Sequence, residues 1–341
     1  MERQVKVNRR RAVLFVCFAG FLGFQSKVKT RYKYAIFPRR SQGRKKTLNT
    51  AKVVENVGFN ILKQAVIYLP DDVKQALKKA YAEETSETGR TQLKAILDNI
   101  ELAEKYRAPV CQDTGTIIFY VKAGAKAKDL DKVEGALVNA TRRATKEVPL
   151  RPNAVNPFTG KNSGDNTGRY LPHVKWEVVP GDSIEMTVMT KGGGSENVCT
   201  GGMIVPGEGI KGLKKFVVDA VIKAGAQPCP PNILGIAMGG GADISMEIAK
   251  KALLKPLTEH NPDPEIAKLE KDIFDAVNMT GIGPMGLGGR TTVLGVHIDY
   301  AYRHPASFPA AVAFNCWAAR RSTARVSADG TVEYLTHRLE E

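Results

Sequence analysis

From residue 47 onward, apolar residues recur every three or four positions. Val53, Val54, Val57, Ile61 and Ala65 share one helical face and predict a helix over about 48–69, ended by Pro70. Asp71 is placed to cap a second helix with Val73, Ala76, Leu77 and Ala80 on one face. A third helix over about 89–107 closes at Pro109. The period then shortens. Residues 116–121 are β-branched and aromatic and predict a strand, and about 129–147 return to helix. A loop rich in Asn, Gly and Pro runs from Pro149 to Pro172. Residues 175–179 and 183–190 alternate apolar and polar around Pro180-Gly181-Asp182, which predicts a β-hairpin. Helices follow over about 210–224, 242–254 and 263–279, with strands at 233–238, 291–300 and 310–315. Helices and strands mix without strict alternation. That predicts an α+β fold, with mixed or antiparallel sheets flanked by helices, rather than a doubly wound parallel sheet. No repeat and no linker interrupts 47–325, which is expected to form one domain; 326–341 reads as a C-terminal tail.

Composition narrows the function class. The chain has 341 residues, 43% apolar and 25% charged, as in a soluble globular protein. Its net charge of +15 suggests nucleic acid or a membrane surface. However, residues 1–46 hold 14 Lys or Arg and one acid, leaving only +2 for residues 47–341. A nucleic-acid-binding core is therefore not expected. The head segment carries Arg9-Arg10-Arg11 and then 13 apolar residues over 12–24, too short a run to span a bilayer comfortably. No small-x-small cleavage site precedes Gln25-Ser26-Lys27, and the Arg-rich, acid-poor composition also suits an organelle transit peptide. The expectation adopted is a basic, disordered extension over 1–46, with no membrane association. Five cysteines in so long a chain fit a reducing cytoplasm better than a secreted disulfide scaffold.

Three of those cysteines carry the candidate chemistry. Cys111 opens Cys-Gln-Asp-Thr-Gly, Cys229 sits in Pro-Cys-Pro-Pro, and Cys316 follows Asn315. They are 118 and 87 positions apart, so only a folded domain could unite them. Three thiolates on one centre would leave a fourth ligand position open to substrate, which suits a dehydratase better than an electron carrier. A buried apolar role is the plain alternative for any one of them. Zinc is the other metal reading, but structural zinc usually shows a Cys-x-x-Cys pair, and the chain has none. Prolines on both sides of Cys229 stiffen its backbone, and the polar turn after Cys111 suits a core poorly. Cys199 is taken as a packing cysteine.

Lys191-Gly192-Gly193-Gly194-Ser195-Glu196-Asn197 could turn backbone N–H groups toward an anion, with Lys191 and Ser195 beside them; a flexible strand exit is the alternative. The G-x-G-x-x-G match at 281–286 follows a helix and contains Pro284, so it is read as a tight loop and not a nucleotide fingerprint. His304, 12 residues before Cys316, could relay a proton or hold a carboxylate. Arg151 could fork a carboxylate, or be a surface charge.

These segments, with Gly-Asp-Asn-Thr at 164–167 and Gly-Ile-Gly-Pro-Met-Gly-Leu-Gly-Gly-Arg-Thr-Thr at 281–292, resemble the class I fumarase family. More narrowly, the chain resembles the separate alpha subunit of two-subunit fumarases and L(+)-tartrate dehydratases, over about 47–320. The resemblance implies an oxygen-sensitive [4Fe–4S] cluster held by Cys111, Cys229 and Cys316, with its fourth iron facing the substrate. It implies that Gln112, Arg151 and Gly194 bind the substrate, and that Asp113 with His304 transfers a proton. It also implies a separate beta subunit that completes the site on a small dicarboxylate, in an alpha2beta2 hetero-oligomer. The expected reaction is reversible hydration of fumarate to (S)-malate, a tricarboxylic acid cycle step. The alternatives are dehydration of L(+)-tartrate to oxaloacetate, or a non-catalytic iron–sulfur sensor. A sensor would need only the thiolates, so Asp113, Arg151 and His304 favour catalysis.

Overall fold

A computed structural model describes residues 50–337. Three helices come first: α1 (Thr50–Ile67), α2 (Asp71–Glu83) and α3 (Glu87–Tyr106). After β1 (Thr116–Gly124) come α4 (Val133–Glu147), β2 (His173–Val179), β3 (Ile184–Lys191), the five-residue α5 (Gly193–Asn197) and β4 (Thr200–Met203). The remainder comprises α6 (Gly209–Ala224), β5 (Asn232–Met238), α7 (Ala242–Ala252), α8 (Pro264–Asn278), β6 (Val293–Tyr300), β7 (Pro309–Asn315), β8 (Arg321–Val326) and β9 (Val332–Tyr334). The predicted α+β class is observed. Among the described residues, no helix is long and apolar enough to cross a membrane.

The strands form two mixed sheets, ordered β2-β1-β3-β8-β9 and β4-β7-β5-β6. Val54, Val57, Ile61, Leu62 and Ala65 of α1 pack with Leu137 and Ala140 of α4 against Phe119, Val121, Met186 and Val188 of the first sheet. A second core holds Leu77 of α2, Leu93 and Ile96 of α3 and Ala249 of α7. It reaches Ile118 and Met189 in one sheet and Ile233 and Ala237 in the other. Leu213 and Val217 of α6 and Ile273 and Val277 of α8 cover a third face, against Leu234, Ile236 and Phe314. β5 is buried at every position, as expected for a strand covered on both faces.

The hairpin expected around Pro180-Gly181-Asp182 is not formed. β1 lies between β2 and β3, parallel to the first (Ile118↔His173) and antiparallel to the second (Ile118↔Met189). β1 is largely buried along its length, which makes it a central strand, whereas β2 is mostly exposed or half-buried and takes the edge. The 180–182 turn wraps the end of β1. Gly124 N donates to Ser183 O, and Lys126 N donates to Gly181 O. A β-carbon at 124 would stand 2.6 Å from the Gly181 backbone, so the crossing requires glycine. Asp71 also differs from expectation. Pro70 occupies the cap position without a side-chain bond, and Asp71 instead opens α2 and pairs with Lys74.

β8 and β9 extend the first sheet through Tyr334. β8 reads Arg-Ser-Thr-Ala-Arg-Val and is masked in the sequence by its polar residues. Its inward polar residues find partners inside: Arg321 Nη2 pairs with Asp72 Oδ2 at 2.6 Å, and Ser322 Oγ donates to Gln64 Oε1 at 3.0 Å. His297 on β6 lies in this region. Burial, together with the charges of Lys255 and Arg321, pushes it down to about 4. The fold therefore holds a neutral imidazole.

Two predictions follow from this packing. A β-carbon at Gly235 would meet Ala249 O at 2.0 Å, where α7 crosses β5. Gly235→Ala is expected to lower unfolding stability by about 2 kcal/mol or more, measured by urea denaturation. For His297, the unfolded chain takes up its proton near pH 6.5 and the folded chain only near 4. Its stabilising contribution is complete above pH 6.5 and lost as pH falls toward 4, a change of about 3 kcal/mol. His297→Leu should flatten that part of the acid limb of urea midpoints against pH; a limb with unchanged slope would contradict the assignment.

Candidate active site

Strand pairing brings two of the three cysteines together. β5 and β7 are antiparallel neighbours, with Ile233 opposite Asn315. Cys229 leads into β5 and Cys316 follows β7, so both lie at the same end of the sheet. Trp317 N donates to Cys229 O at 3.3 Å and ties the two backbones. Cys229 has φ +52, a left-handed conformation that costs a non-glycine residue about 1 kcal/mol or more. Its surroundings hold it there: Asn232 Nδ2 donates to Pro228 O at 2.9 Å, and Met285 N donates to Pro230 O at 2.8 Å. The 281–290 loop is thus a brace for the Pro-Cys-Pro-Pro segment, while Arg290 itself is exposed.

Cys111 arrives from the other side. Val110 N donates to Val66 O, and Val110 O accepts from Asn99 Nδ2, which fixes the turn between α3 and β1. The three sulfurs lie within charge–charge range. Burial, then Cys316, then Cys111 push the Cys229 thiol up. Burial also raises Cys316, and the nearby Arg320 opposes it. Cys111, Cys199, Cys229 and Cys316 are all free and half-buried. Among the described residues, no three His, Cys, Asp or Glu side chains stand close enough to hold a single metal ion.

Asp113 is anchored beside this centre. Its Oδ1 accepts from Gly115 N at 2.9 Å and Asn153 Nδ2 at 2.7 Å, and its Oδ2 accepts from Gly193 N at 2.7 Å. Asn153 belongs to the long 149–172 loop. That loop is stitched in turn by Asn166, whose Oδ1 accepts from Asn153 N and whose Nδ2 donates to Thr145 Oγ1 and Arg151 O. Gly115 has φ +76, and a β-carbon there would stand 2.5 Å from Lys191 C and O. The Asp113 turn and the glycine-rich segment therefore meet backbone to backbone.

The glycine-rich segment is not a flexible exit. It opens α5, and Gly194 closes on Gln227 O, 2.8 Å from where its β-carbon would be. Lys191 and Ser195, expected beside an anion cradle, instead bond to each other in the interior. The Lys191 ammonium is fully buried, donates to Ser195 Oγ at 2.9 Å and pairs with Glu196 Oε2 at 3.4 Å. Burial lowers its pKa against the pull of Cys199 and Glu196. Glu196 also pairs with Lys250; burial pushes its carboxyl up, but Lys250 and Lys191 together hold it below the ordinary range. Cys199 packs as expected, with its Sγ donating to Ser195 O.

Gln112, Arg151 and Gly194 are exposed on the open side of this arrangement. Arg151 makes no side-chain hydrogen bond or ion pair among the described residues, and its carbonyl is held by Asn166. His304 is not brought to the thiols within this chain. It lies beyond the Tyr300 end of β6, where Met238 pairs Tyr300, and β5 runs about 20 Å from there back to Cys229. His304 is exposed, and its Nδ1 accepts from Ala306 N. Arg320, from which the sequence suggested nothing, is almost fully buried and donates from Nη1 to Asp113 O at 2.6 Å. Its only sequence signal is its position four residues after Cys316. A groove of about 600 Å³ elsewhere includes none of the cysteines, and its Lys122–Glu185 and Lys251–Glu177 pairs neutralise one another.

Comparison with known proteins identifies the family. The family described as Fumarate hydratase (Fumerase) matches residues 56–325. A Methanocaldococcus jannaschii protein, provisionally named L(+)-tartrate dehydratase subunit alpha, is 41% identical over 280 residues, covering 81% of this chain and 98% of that protein. L(+)-tartrate dehydratase subunit alpha of Escherichia coli strain UTI89 is 39% identical over 270 residues, covering 79% and 89%. The strain K12 protein of the same name is 38% identical over the same shares. The chain belongs to the class I fumarate hydratase and L(+)-tartrate dehydratase alpha-subunit family, and is a hydro-lyase of that type.

Proposed function

We propose that this chain is the alpha subunit of an iron–sulfur hydro-lyase that removes water from a 2-hydroxy dicarboxylate, with L(+)-tartrate the favoured substrate. The observation that carries this reading is the convergence of Cys111, Cys229 and Cys316 beside the anchored carboxylate of Asp113. The donor set fits a [4Fe–4S] group: three soft sulfur ligands from three segments, free of disulfides. Cys111, Cys229 and Cys316 would hold it. When bound, it supplies a Lewis acid that polarises the departing hydroxyl.

The chain's own residues do the rest. Asp113 Oδ2 accepts one hydrogen bond, from Gly193 N, and so keeps a lone pair for a substrate proton. Three donors fix the carboxylate, so little reorganisation is needed as the proton moves. The exposed Arg151 suits one substrate carboxylate, and Gln112 and the Gly193–Gly194 backbone suit another. His304, at the far end of its sheet, has no part in this scheme.

The relatives named above favour tartrate over the expected fumarate, since each carries the tartrate dehydratase name. The family description favours fumarate and malate and supports that second reading. Relatives named as alpha subunits, and a site open on the Gln112–Arg151 side, support a separate beta subunit and an alpha2beta2 assembly. Free thiols at the centre support a reducing cytoplasm.

Anaerobic coexpression with the beta subunit, followed by assays on L(+)-tartrate, D-tartrate, malate and fumarate, tests the reading. Turnover of L(+)-tartrate at the highest kcat/KM is expected. Activity on malate and fumarate alone would select the second reading, and activity on none would reject both. Cys229→Ser should lose cluster absorbance near 400 nm, the order expected for iron–sulfur charge transfer, together with activity. Full activity in iron-free protein would refute the assignment.

A further inference from the structure

Arg320 is the largest of the almost fully buried side chains among the described residues. Its Nη1 donates to Asp113 O at 2.6 Å, and its Nε has no acceptor. Its Nη2 lies against Gly192, 3.5 Å from where a β-carbon would stand, and its own carbonyl accepts from Thr190 N. No carboxylate among the described residues pairs with it. A buried guanidinium without a counter-charge costs several kcal/mol, so such groups are nearly always matched by an anion. The carboxylate within its range is that of Asp113: a β-carbon at Gly192 would stand 3.1 Å from Asp113 Oδ2 and 3.5 Å from Arg320 Nη2.

We propose that Arg320 is the positioning residue for Asp113. The Nη1–carbonyl bond fixes the 111–115 turn, and the turn in turn sets Asp113 Oδ1 on Gly115 N and Oδ2 on Gly193 N. Lysine in place of Arg320 would keep the charge and lose the fork; methionine would lose both.

This inference rests on the hydro-lyase reading only for its kinetic consequence. The test uses the full chain, loaded anaerobically and assembled with its beta subunit, as Arg320→Lys and Arg320→Met. Amide hydrogen exchange is measured by peptide. Both variants should exchange about tenfold faster at Gly115 and Gly193, with β3 residues 184–189 and β8 unchanged, as for loss of a local tie. On the favoured substrate, Arg320→Lys should lose about 10- to 100-fold in kcat with KM within about threefold. Wild-type exchange at Gly115 and Gly193, or protection lost evenly across β3 and β8, would overturn the positioning role. If Arg320→Met does not fold, Arg320→Lys decides through exchange. If the wild-type complex turns over none of the four acids, the hydro-lyase reading fails, while the exchange arm still decides this one.

Discussion

The antiparallel register of β5 against β7 is the constraint on which the site depends. Ile233 opposite Asn315 leaves Cys229 and Cys316 at adjacent strand ends. A shift of one residue would turn every side chain of β7 to its other face and carry the Cys316 segment away from Cys229. Both strands are wholly buried, with apolar faces set against α6 and α8 on one side and α7 on the other, so the register is fixed by burial on two sides. The left-handed Cys229 is held in a conformation it would not choose alone, braced by the 281–290 loop. Stable strand packing thus underwrites a strained cysteine, a common division of labour at functional sites.

A second principle governs the polar half of the site. Asp113 touches no side-chain cation. It is held by two backbone amides and an asparagine, each fixed by another element: β1 for Gly115, the segment after β3 for Gly193, and the 149–172 loop for Asn153. The long loop acquires its order through Asn166, which joins it to Thr145 on α4. The charged groups lie below that layer, with Lys191 against Ser195 and Glu196, and Arg320 against the Asp113 carbonyl. Neutral dipoles face the open side, and fixed charges act through them from the interior.

Much of this was legible in the chain. Helical periodicity located α1 to α4 and α6 to α8, and the apolar runs of β5 and β7 announced covered strands. The three cysteines were legible through their odd local chemistry: flanking prolines at Cys229, a polar turn after Cys111. What was lost was lost for physical reasons. The β2–β3 hairpin was expected because alternation and a Pro-Gly-Asp turn describe local chain direction, whereas the insertion of β1 between the strands is a non-local choice set by burial. β8 was missed because its inward residues are Arg321 and Ser322, whose partners Asp72 and Gln64 stand about 250 residues away in sequence. Arg320 was silent for the same reason, since a buried cation looks like a surface one until its surroundings are known. His304 was tied to Cys316 by nearness in sequence, but an intervening strand puts them at opposite ends of a sheet.

The spacing of the sulfurs also dictates when the centre can exist. Contacts between residues 118 and 87 positions apart belong to the slowest class to form, because closing such long loops costs entropy before any packing offsets it. During synthesis Cys111 emerges long before Cys316, and it has no companion until the last strands of the second sheet have docked. For that interval the polypeptide is a scatter of unpaired thiols, each open to oxidation. On the proposed function, loading of the centre is thereby postponed to the end of maturation, and a cell making this subunit must guard reduced sulfur until the β5–β7 seam is sealed.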